Sequence, residues 1–463
     1  MALRLYDTLE RDKRIFSPLV DNEVRMYCCG LTVNNYMHLG HIKTYVNVDI
    51  LKRTLLYLGY KVKHVMNITD VGHLSSDADT GEDKIGAAAK REGKSVWEIV
   101  DFYSEAFIND LKKLNIILPN EISRATQHIK EMIELNKKIE KAGFTYFKGG
   151  NLYFDTSKFP EYGKLAQLEK QKQEETIARV EKDPNKKNQK DFVLWFTKSK
   201  FGDQDMKWPS PWGIGFPGWH IECSAMSSKY LGDQFDIHCG GIDLIPIHHT
   251  NEIAQVESVT KKKWVNFWVH TQFILIDKEK MSKSLGNVIS LKKLGEKGYD
   301  AMDCRYFVMS VNYRTQLNVT PESIESAKNA HTRLKNIILE LKEKAGKKKG
   351  KFIEEYNHKF IDALEDDLNM PKAVAVLWDL IADQDISQED KLATILKFDE
   401  VFGLNLKNIK AEKIPATISK LIKERDEARK NKNWKDSDEI RNKITSMGYE
   451  VKDTAEGTKV IKK

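Results

Sequence analysis

The sequence predicts a modular α/β protein, with a parallel-sheet domain followed by helical regions. Three observations carry this. Apolar runs of strand length alternate with helical periodicity in the first 120 residues, and again between 235 and 276. From Pro321 onward the pattern is almost entirely helical. The 463 residues also exceed what one compact core usually holds.

In order along the chain, Val24 to Cys29 is a short apolar run closed by Gly30, Gly40 to Tyr60 has helical periodicity, and Lys61 to Thr69 is strand-like. That order predicts a βαβ unit. Helical stretches are expected from Asp83 to Leu118 and from Ala125 to Ala142, then hairpin-like pieces from Tyr146 to Phe154 and an exposed charged insertion from Glu181 to Lys190. The sheet resumes with a strand at Phe235 to His238, a helix at His248 to Thr260, and the apolar run Trp264 to Ile276. Beyond Pro321 the Lys-rich segment Lys342 to Lys351 reads as a connector between helices, and Tyr449 to Ile461 as extended chain.

Hydrophobic content of 41% and aromatic content of 10%, with 11 Pro and 26 Gly, exclude a disordered or collagen-like chain. No apolar run reaches the roughly 18 residues of a spanning helix, and the charged start lacks a signal-peptide core, so a cytoplasmic protein is expected. Five cysteines, two of them adjacent, rule out a fully paired disulfide framework and leave reduced thiols or metal ligands. The net charge of +7 is uneven: residues 407–463 carry 16 Lys+Arg against 10 Asp+Glu, and residues 333–351 carry 8 against 2. Basic C-terminal parts suit a polyanionic partner, and equally a solvated Lys-rich surface.

Two segments bear phosphate-type chemistry. His38-Leu-Gly-His41 falls between the first strand and its helix, where backbone N–H groups face an anion and Gly40 allows close approach; the same histidines could simply cap the helix. Lys280-Met-Ser-Lys-Ser284, followed by Leu285-Gly-Asn287, is a cationic loop directly after a strand, able to close over a triphosphate or to stand as a solvated turn. Near the C-terminus, Arg425 to Arg441 sets cations around Trp434, a pattern that grips phosphates and stacks a base, or builds a helical hairpin with the tryptophan inward.

Together and in this order, the two phosphate segments resemble the HIGH and KMSKS signatures of class I aminoacyl-tRNA synthetases. Tyr27-Cys-Cys-Gly-Leu-Thr-Val33, Asn67-Ile-Thr-Asp70, Trp208-Pro-Ser-Pro-Trp-Gly213, Pro217-Gly-Trp-His-Ile-Glu-Cys-Ser-Ala-Met226 and His248-His249-Thr-Asn-Glu-Ile-Ala-Gln255 narrow the likeness to the cysteinyl-tRNA synthetase family, from about residue 3 to the C-terminus. The resemblance implies a Rossmann-like catalytic domain over residues 1–315, with an insertion at about 120–205 and the KMSKS-loop region at about 262–315. A helical bundle over 316–403 and an anticodon-binding domain over 404–463 would follow.

It also implies a reaction: ATP-dependent activation of L-cysteine to cysteinyl-adenylate, then transfer to the 3′ end of tRNA(Cys) by a monomeric enzyme. His38, His41, Lys280 and Lys283 would be catalytic, and with Gly40 would bind ATP, which would come with Mg²⁺. Thr69, Trp219, His238 and Asp243 would form the cysteine pocket, Trp219 being equally readable as core. Arg429, Trp434 and Asp438 would contact tRNA. One Zn²⁺ per chain would be held by Cys29, Cys223, His248 and Glu252, the last two sharing a helix face at i,i+4. A soft metal separates thiolate from hydroxyl better than a shaped apolar pocket does. Adjacent strand residues face opposite ways, so Cys28 is not expected to join Cys29 at the ion. The chain departs from the family pattern at Val71 to Leu74, at Cys239, and at Ile245-Pro-Ile-His248, where a proline is displaced.

Two other readings remain. A ligase passing cysteinyl-adenylate to an amino sugar would share these motifs but has no use for residues 404–463. A zinc-containing RNA-binding protein without catalysis would not need both phosphate segments.

Overall fold

The computed structural model describes residues 2–72, 83–168, 183–198, 205–280, 288–410, 415–454 and 457–462. Its centre is a five-stranded parallel sheet in the order Val265–Thr271, Phe235–Gly241, Glu23–Cys28, Lys61–Ile68, Glu121–Arg124. The strands are apolar because both faces are covered, as in Phe235–Gly241, where every residue but the last is buried. The chain leaves Glu23–Cys28 toward one edge and later returns on its other side, so the order reverses between Cys28 and Cys239, which pair across the two strands. In doubly wound sheets, ligands bind at the C-terminal strand ends of that switch point.

The expected βαβ unit is present: the helix Leu39–Tyr57 joins the strands Glu23–Cys28 and Lys61–Ile68. This helix has no open polar face. Lys43, Asn47, Asp49, Lys52 and Arg53 are buried on it, and Lys43 donates to the carbonyls of Gln272 at 2.8 Å and Thr315 at 2.6 Å.

Several elements differ from expectation. The helix expected over Asp83 to Leu118 breaks at Gly93, whose φ of 65° ends Lys84–Glu92; Ser95 then caps Val96–Lys113. The expected start of the insertion, about 120, falls on Glu121–Arg124, still a strand of the parallel sheet. The separate antiparallel sheet starts at Thr145–Lys148 and continues through Asn151–Phe154, Phe192–Phe196 and Phe216–Pro217. Of the expected exposed stretch, Asp183 is tied down by the Tyr153 hydroxyl at 2.9 Å. The helix Pro321–Ala345 runs through Lys342, whose ammonium donates to the Leu406 and Lys407 carbonyls, so the connector begins only at Gly346. The displaced Pro246 lies in a π-helical turn, Ile245–His249, that leads into the helix Thr250–Thr260. Such turns re-aim side chains at functional sites.

The described residues form two compact units, 1–407 and 408–463. The second contains the helices Ala416–Lys430 and Trp434–Ser446 and a hairpin of Tyr449–Thr454 with Gly457–Lys462, so the expected extended tail is a two-stranded ribbon. Its small core holds Ile418, Leu421, Ile444 and Val451.

Candidate active site and metal centre

At the switch point the Glu23–Cys28 strand ends in Cys29 and Gly30. A Cβ on Gly30 would meet the Asn67 carbonyl at 1.6 Å, so only glycine lets the two chains pass this closely. The Gly30 N–H donates to the Asn67 side chain at 2.8 Å. Beyond it opens a cavity of about 370 Å³, lined among others by Cys29, Tyr36, His38, Gly40, His41, Trp219 and Asp243.

His38 and His41 stand at the start of the helix Leu39–Tyr57 and cap it reciprocally, each ring Nδ1 accepting the other's backbone N–H at 3.4 Å. Their rings stack at 3.6 Å. The capping reading and cavity placement therefore hold together: the cap is what orients both imidazoles at the cavity wall. The side chain of Lys280, at the end of the strand Glu279–Lys280, and all of Lys283 lie outside the described residues.

The four expected metal ligands come together. Ligand atoms of Cys29, Cys223, His248 and Glu252 all lie within 4.8 Å of one another, and all four side chains are buried. Cys29 and Cys223 Sγ are 3.8 Å apart. A disulfide needs about 2.05 Å, whereas two zinc–thiolate bonds of about 2.3 Å at a tetrahedral angle span about 3.8 Å. The donor set, two thiols with an imidazole and a carboxylate, suits a zinc-like ion. His248 Nε2 is 2.7 Å from Glu252 Oε1, and His248 Nδ1 lies 2.9 Å from His220 Nδ1, which fixes which nitrogen faces the cluster.

The charges are tightly coupled. Burial raises the Glu252 carboxyl, but His248 and His238 outweigh it and hold the group down to about 2. Burial lowers His248, yet Glu252 and Cys223 lift it to about 10. Burial also raises Cys223, but its hydrogen bond with Cys29 and the neighbouring His248 bring it to about 7. Burial and Cys223 push Cys29 well above a normal thiol.

Of the expected cysteine pocket, Trp219 and Asp243 line the cavity, and the Trp219 ring lies 4.4 Å from that of His248. His238 and Thr69 take other places. His238 donates to Glu252 Oε2 at 2.7 Å and stacks on Trp268 at 4.5 Å. Thr69 is buried and donates to Glu222 Oε2 at 3.1 Å.

Sequence reasoning missed His249. Its Nε2 is 3.3 Å from Cys29 Sγ, its Nδ1 2.7 Å from His270, and His270 in turn is 2.8 Å from Thr8. It belongs to a second set, Cys29, His238, His249 and Glu252, that shares two members with the first. The signal was the doubled histidine: the π-helical turn lets neighbouring residues approach one cluster from two sides. Cys28 is turned away, its Sγ on the Cys29 carbonyl at 3.4 Å, and Cys239 is a buried thiol pushed up by burial alone.

In the second unit, Trp434 is 59% exposed, so it does not pack inward. Asp438 is exposed, and Arg429 is engaged by Asp453.

A cysteine–tRNA ligase of Treponema denticola is 47% identical to this chain over 485 residues, covering 98% of each. The chain belongs to the cysteine–tRNA ligase family. Relatives from Borreliella burgdorferi and Burkholderia lata are 43% and 42% identical, covering 99% and 100% of this chain and 99% and 97% of their own. Three family models match: the class I (C) tRNA synthetase catalytic domain over residues 15–329, a DALR domain over 359–407, and the cysteinyl-tRNA ligase anticodon binding domain over 411–460. Among solved structures, a Mycobacterium tuberculosis methionyl-tRNA synthetase bound to methionyl-adenylate aligns with a TM-score of 0.57 at 17% identity, covering 82% of this chain and 90% of that one. This likeness concerns the fold alone. The enzyme is a class I synthetase by family, and among its described residues no helix is long and apolar enough to cross a membrane.

Proposed function

We propose that this chain activates L-cysteine with ATP and transfers it to the 3′ end of tRNA(Cys), as a monomeric cytoplasmic enzyme with ATP accompanied by Mg²⁺. The observation that carries the reading is the shared cavity: Cys29, from the thiol–imidazole–carboxylate cluster, and the stacked His38 and His41 line the same space. The catalytic domain is assigned to residues 1–315, the helical bundle to 316–403 and the anticodon-binding domain to 404–463.

A cysteine carboxylate is a nucleophile at neutral pH, so activation needs positioning and charge stabilisation at the α-phosphate rather than a strong base. His38 and His41 bind the phosphates at the helix start, with the Gly40 backbone allowing close approach. Lys280 and Lys283 neutralise the charge that grows on the departing pyrophosphate. Asp243 holds the substrate ammonium group, and Trp219 closes the pocket over its side chain. Thr69 and His238 act one layer back, through Glu222 and Glu252.

Cys29, Cys223, His248 and Glu252 hold a zinc ion, with His238 and His220 orienting the ligands. Held there, zinc would supply soft Lewis acidity that favours a thiolate over a hydroxyl. In the second unit, Trp434, Arg429 and Asp438 meet the anticodon, with Trp434 offering an open ring for a base.

The deciding experiment is cysteine-dependent ATP–pyrophosphate exchange followed by charging of tRNA(Cys), run beside serine and beside a small amine acceptor. Exchange and charging with cysteine alone, lost on chelation and restored by zinc, are the expected results. Equal activation of serine by the holoenzyme would overturn the metal's role, and transfer to the small amine in place of tRNA would overturn the acceptor.

A further inference from the structure

Lys43 sits one turn into the helix that starts after His38, and it is fully buried. Its ammonium meets three backbone carbonyls: Thr315 at 2.6 Å, Gln272 at 2.8 Å and Tyr313 at 3.5 Å. Among the described residues no carboxylate pairs with it, and burial brings it down to about 7. Two N–H groups serve the two short bonds whether or not the third proton is present. A buried amine held by carbonyls alone costs more to bury than the methionine that would fill the same space. What it adds is a fixed cross-link between segments far apart in the chain.

Those segments lead to Lys280. Gln272 follows the strand Val265–Thr271 and lines the cavity, and its N–H donates to the Tyr313 carbonyl at 2.9 Å. Just beyond it, Ile274–Ile276 pairs in parallel with Leu317–Val319 and antiparallel with Glu279–Lys280. Lys43 thus ties this three-stranded sheet, at its entry, to the helix of His38 and His41. The same helix holds the chain again further on. The Leu39 N–H donates to the Ile289 carbonyl at 2.9 Å, and His38 bridges to Ser290. Leu39 and Lys43 are about one helical turn apart. One turn therefore grips the chain at Gln272 and at Ile289, on either side of Lys280.

We propose that Lys43 is a positioning residue for cysteine activation: by holding the Gln272 and Thr315 carbonyls, it sets the spacing between the helix start of His38 and His41 and the strand of Lys280. The inference rests on the activation reading above. Phosphate-binding groups on separate segments stabilise one transition state only if their spacing is kept, and a displacement of about 1 Å can cost about 100-fold in rate. Strand pairing holds the small sheet together internally, and Lys43 fixes its entry against the helix.

The test uses the full chain with Lys43→Met, alone and combined with Lys280→Ala, in cysteine-dependent ATP–pyrophosphate exchange. Lys43→Met should lower kcat about 10- to 100-fold, with KM for cysteine within about twofold of the parent. In the Lys280→Ala background the same substitution should cost at most about threefold, because the group being positioned is gone. Lys43→Arg keeps a cation with donors but not the compact ammonium, so it should lose about three- to tenfold in kcat, again less beside Lys280→Ala. It carries the test if Lys43→Met fails to fold. Hydrogen exchange should quicken over residues 272–276 and stay parent-like over the helix Thr250–Thr260. Unchanged kcat, a matching rise in cysteine KM, the same fold-loss in both backgrounds, or exchange that quickens equally over Thr250–Thr260 would each overturn the positioning role. If the parent performs no exchange with cysteine, the functional reading fails; if it does and the two losses simply multiply, the role of Lys43 fails alone.

Discussion

Arg305 and Asp49 form an ion pair of 2.6 Å in which neither side chain reaches solvent. Asp49 lies on the helix that begins at His38 and His41, while the Arg305 guanidinium also donates to the carbonyls of Leu114 and of Phe402, the last residue of the helix Gln388–Phe402. Arg53 joins from the same helix as Asp49, bonding Asp49 at 2.7 Å and the Glu400 and Asn115 carbonyls. Two arginines thus satisfy carbonyls at a helix end and in the loop after Lys113, with one carboxylate between them. Removing Arg305 would leave Asp49 to Arg53 alone and orphan the Leu114 and Phe402 carbonyls. Arg305→Ala is expected to cost about 3 kcal/mol, read as a lower urea midpoint, and the double variant Asp49→Leu/Arg305→Met costs more, because Arg53 then loses its carboxylate as well. A single-variant loss below about 1 kcal/mol would mean that water reaches the pair.

The Cys29–Cys223 separation makes a second prediction. Cys223→Ser keeps the size of the side chain but replaces a soft donor with a hydroxyl that stays protonated near neutral pH. Purified Cys223→Ser is expected to hold less than half the zinc of the parent by atomic absorption, and to lose preference for cysteine over serine in pyrophosphate exchange. His238→Ala, which leaves all four ligands in place, should weaken zinc binding about 10- to 100-fold by releasing Glu252. Parent-like zinc retention in both variants would place the ion elsewhere.

The residues that were legible from sequence are those whose spacing is local. His38 and His41 flank a strand-to-helix turn, and His248 and Glu252 share a helix face, so each pair could be read within a few positions. Cys29 and Cys223 are 194 residues apart, and their proximity depended on the resemblance, not on periodicity. His249 escaped because a regular helix turns it about 100° from His248; only the π-helical turn at Pro246 brings both toward Glu252 and Cys29. The helix boundaries at Gly93 and Gly346 were misjudged for another reason. Lys-rich runs read as loops by composition, yet Lys342 is spent on two carbonyls, and the left-handed glycine after Ala345 sets the true end.

Trp434 heads the helix Trp434–Ser446, next to the Asn433 cap, with its ring largely in solvent. A tryptophan that contributes nothing to the core can be removed without loss of stability. Trp434→Ala is expected to leave the melting temperature within about 1 °C and pyrophosphate exchange unchanged, while raising KM for tRNA(Cys) about 5- to 100-fold through a lost base stack. A large drop in thermal stability would show that the ring packs after all, and an unchanged KM would remove it from the tRNA surface.

The C-terminal unit should be the acid-labile part of the chain, because its ribbon is pinned to the helix Ala416–Lys430 by carboxylates, Asp453 bonding Arg425 and Arg429 and Asp426 accepting from Thr458. Asp453 accepts from Arg425 Nη1 at 2.7 Å and Nη2 at 2.9 Å, and from Arg429, while Thr458 on the partner strand accepts from Arg425 at 3.1 Å. The hydrogen bond from Arg425 and that from Arg429 outweigh burial and hold the Asp453 carboxyl well below the usual carboxylate range. A carboxyl whose folded pKa is depressed adds stability above its unfolded value, near 3.9, and loses it as pH falls toward the folded value. Stability linked to Asp453 is therefore complete at neutral pH and declines progressively below about pH 5. Its side chain is 36% exposed, so water and salt screen the pair and the contribution is on the order of 1 kcal/mol. Hydrogen exchange over residues 416–454 should accelerate between about pH 5 and 3 beyond the intrinsic pH trend, and Asp453→Asn should show the faster exchange already at pH 7, with that extra acid dependence gone. An Asp453→Asn protein as protected as the parent at pH 7 would show that the ribbon is held without Asp453, by Ile444 and Val451 packing and the Thr458–Asp426 hydrogen bond.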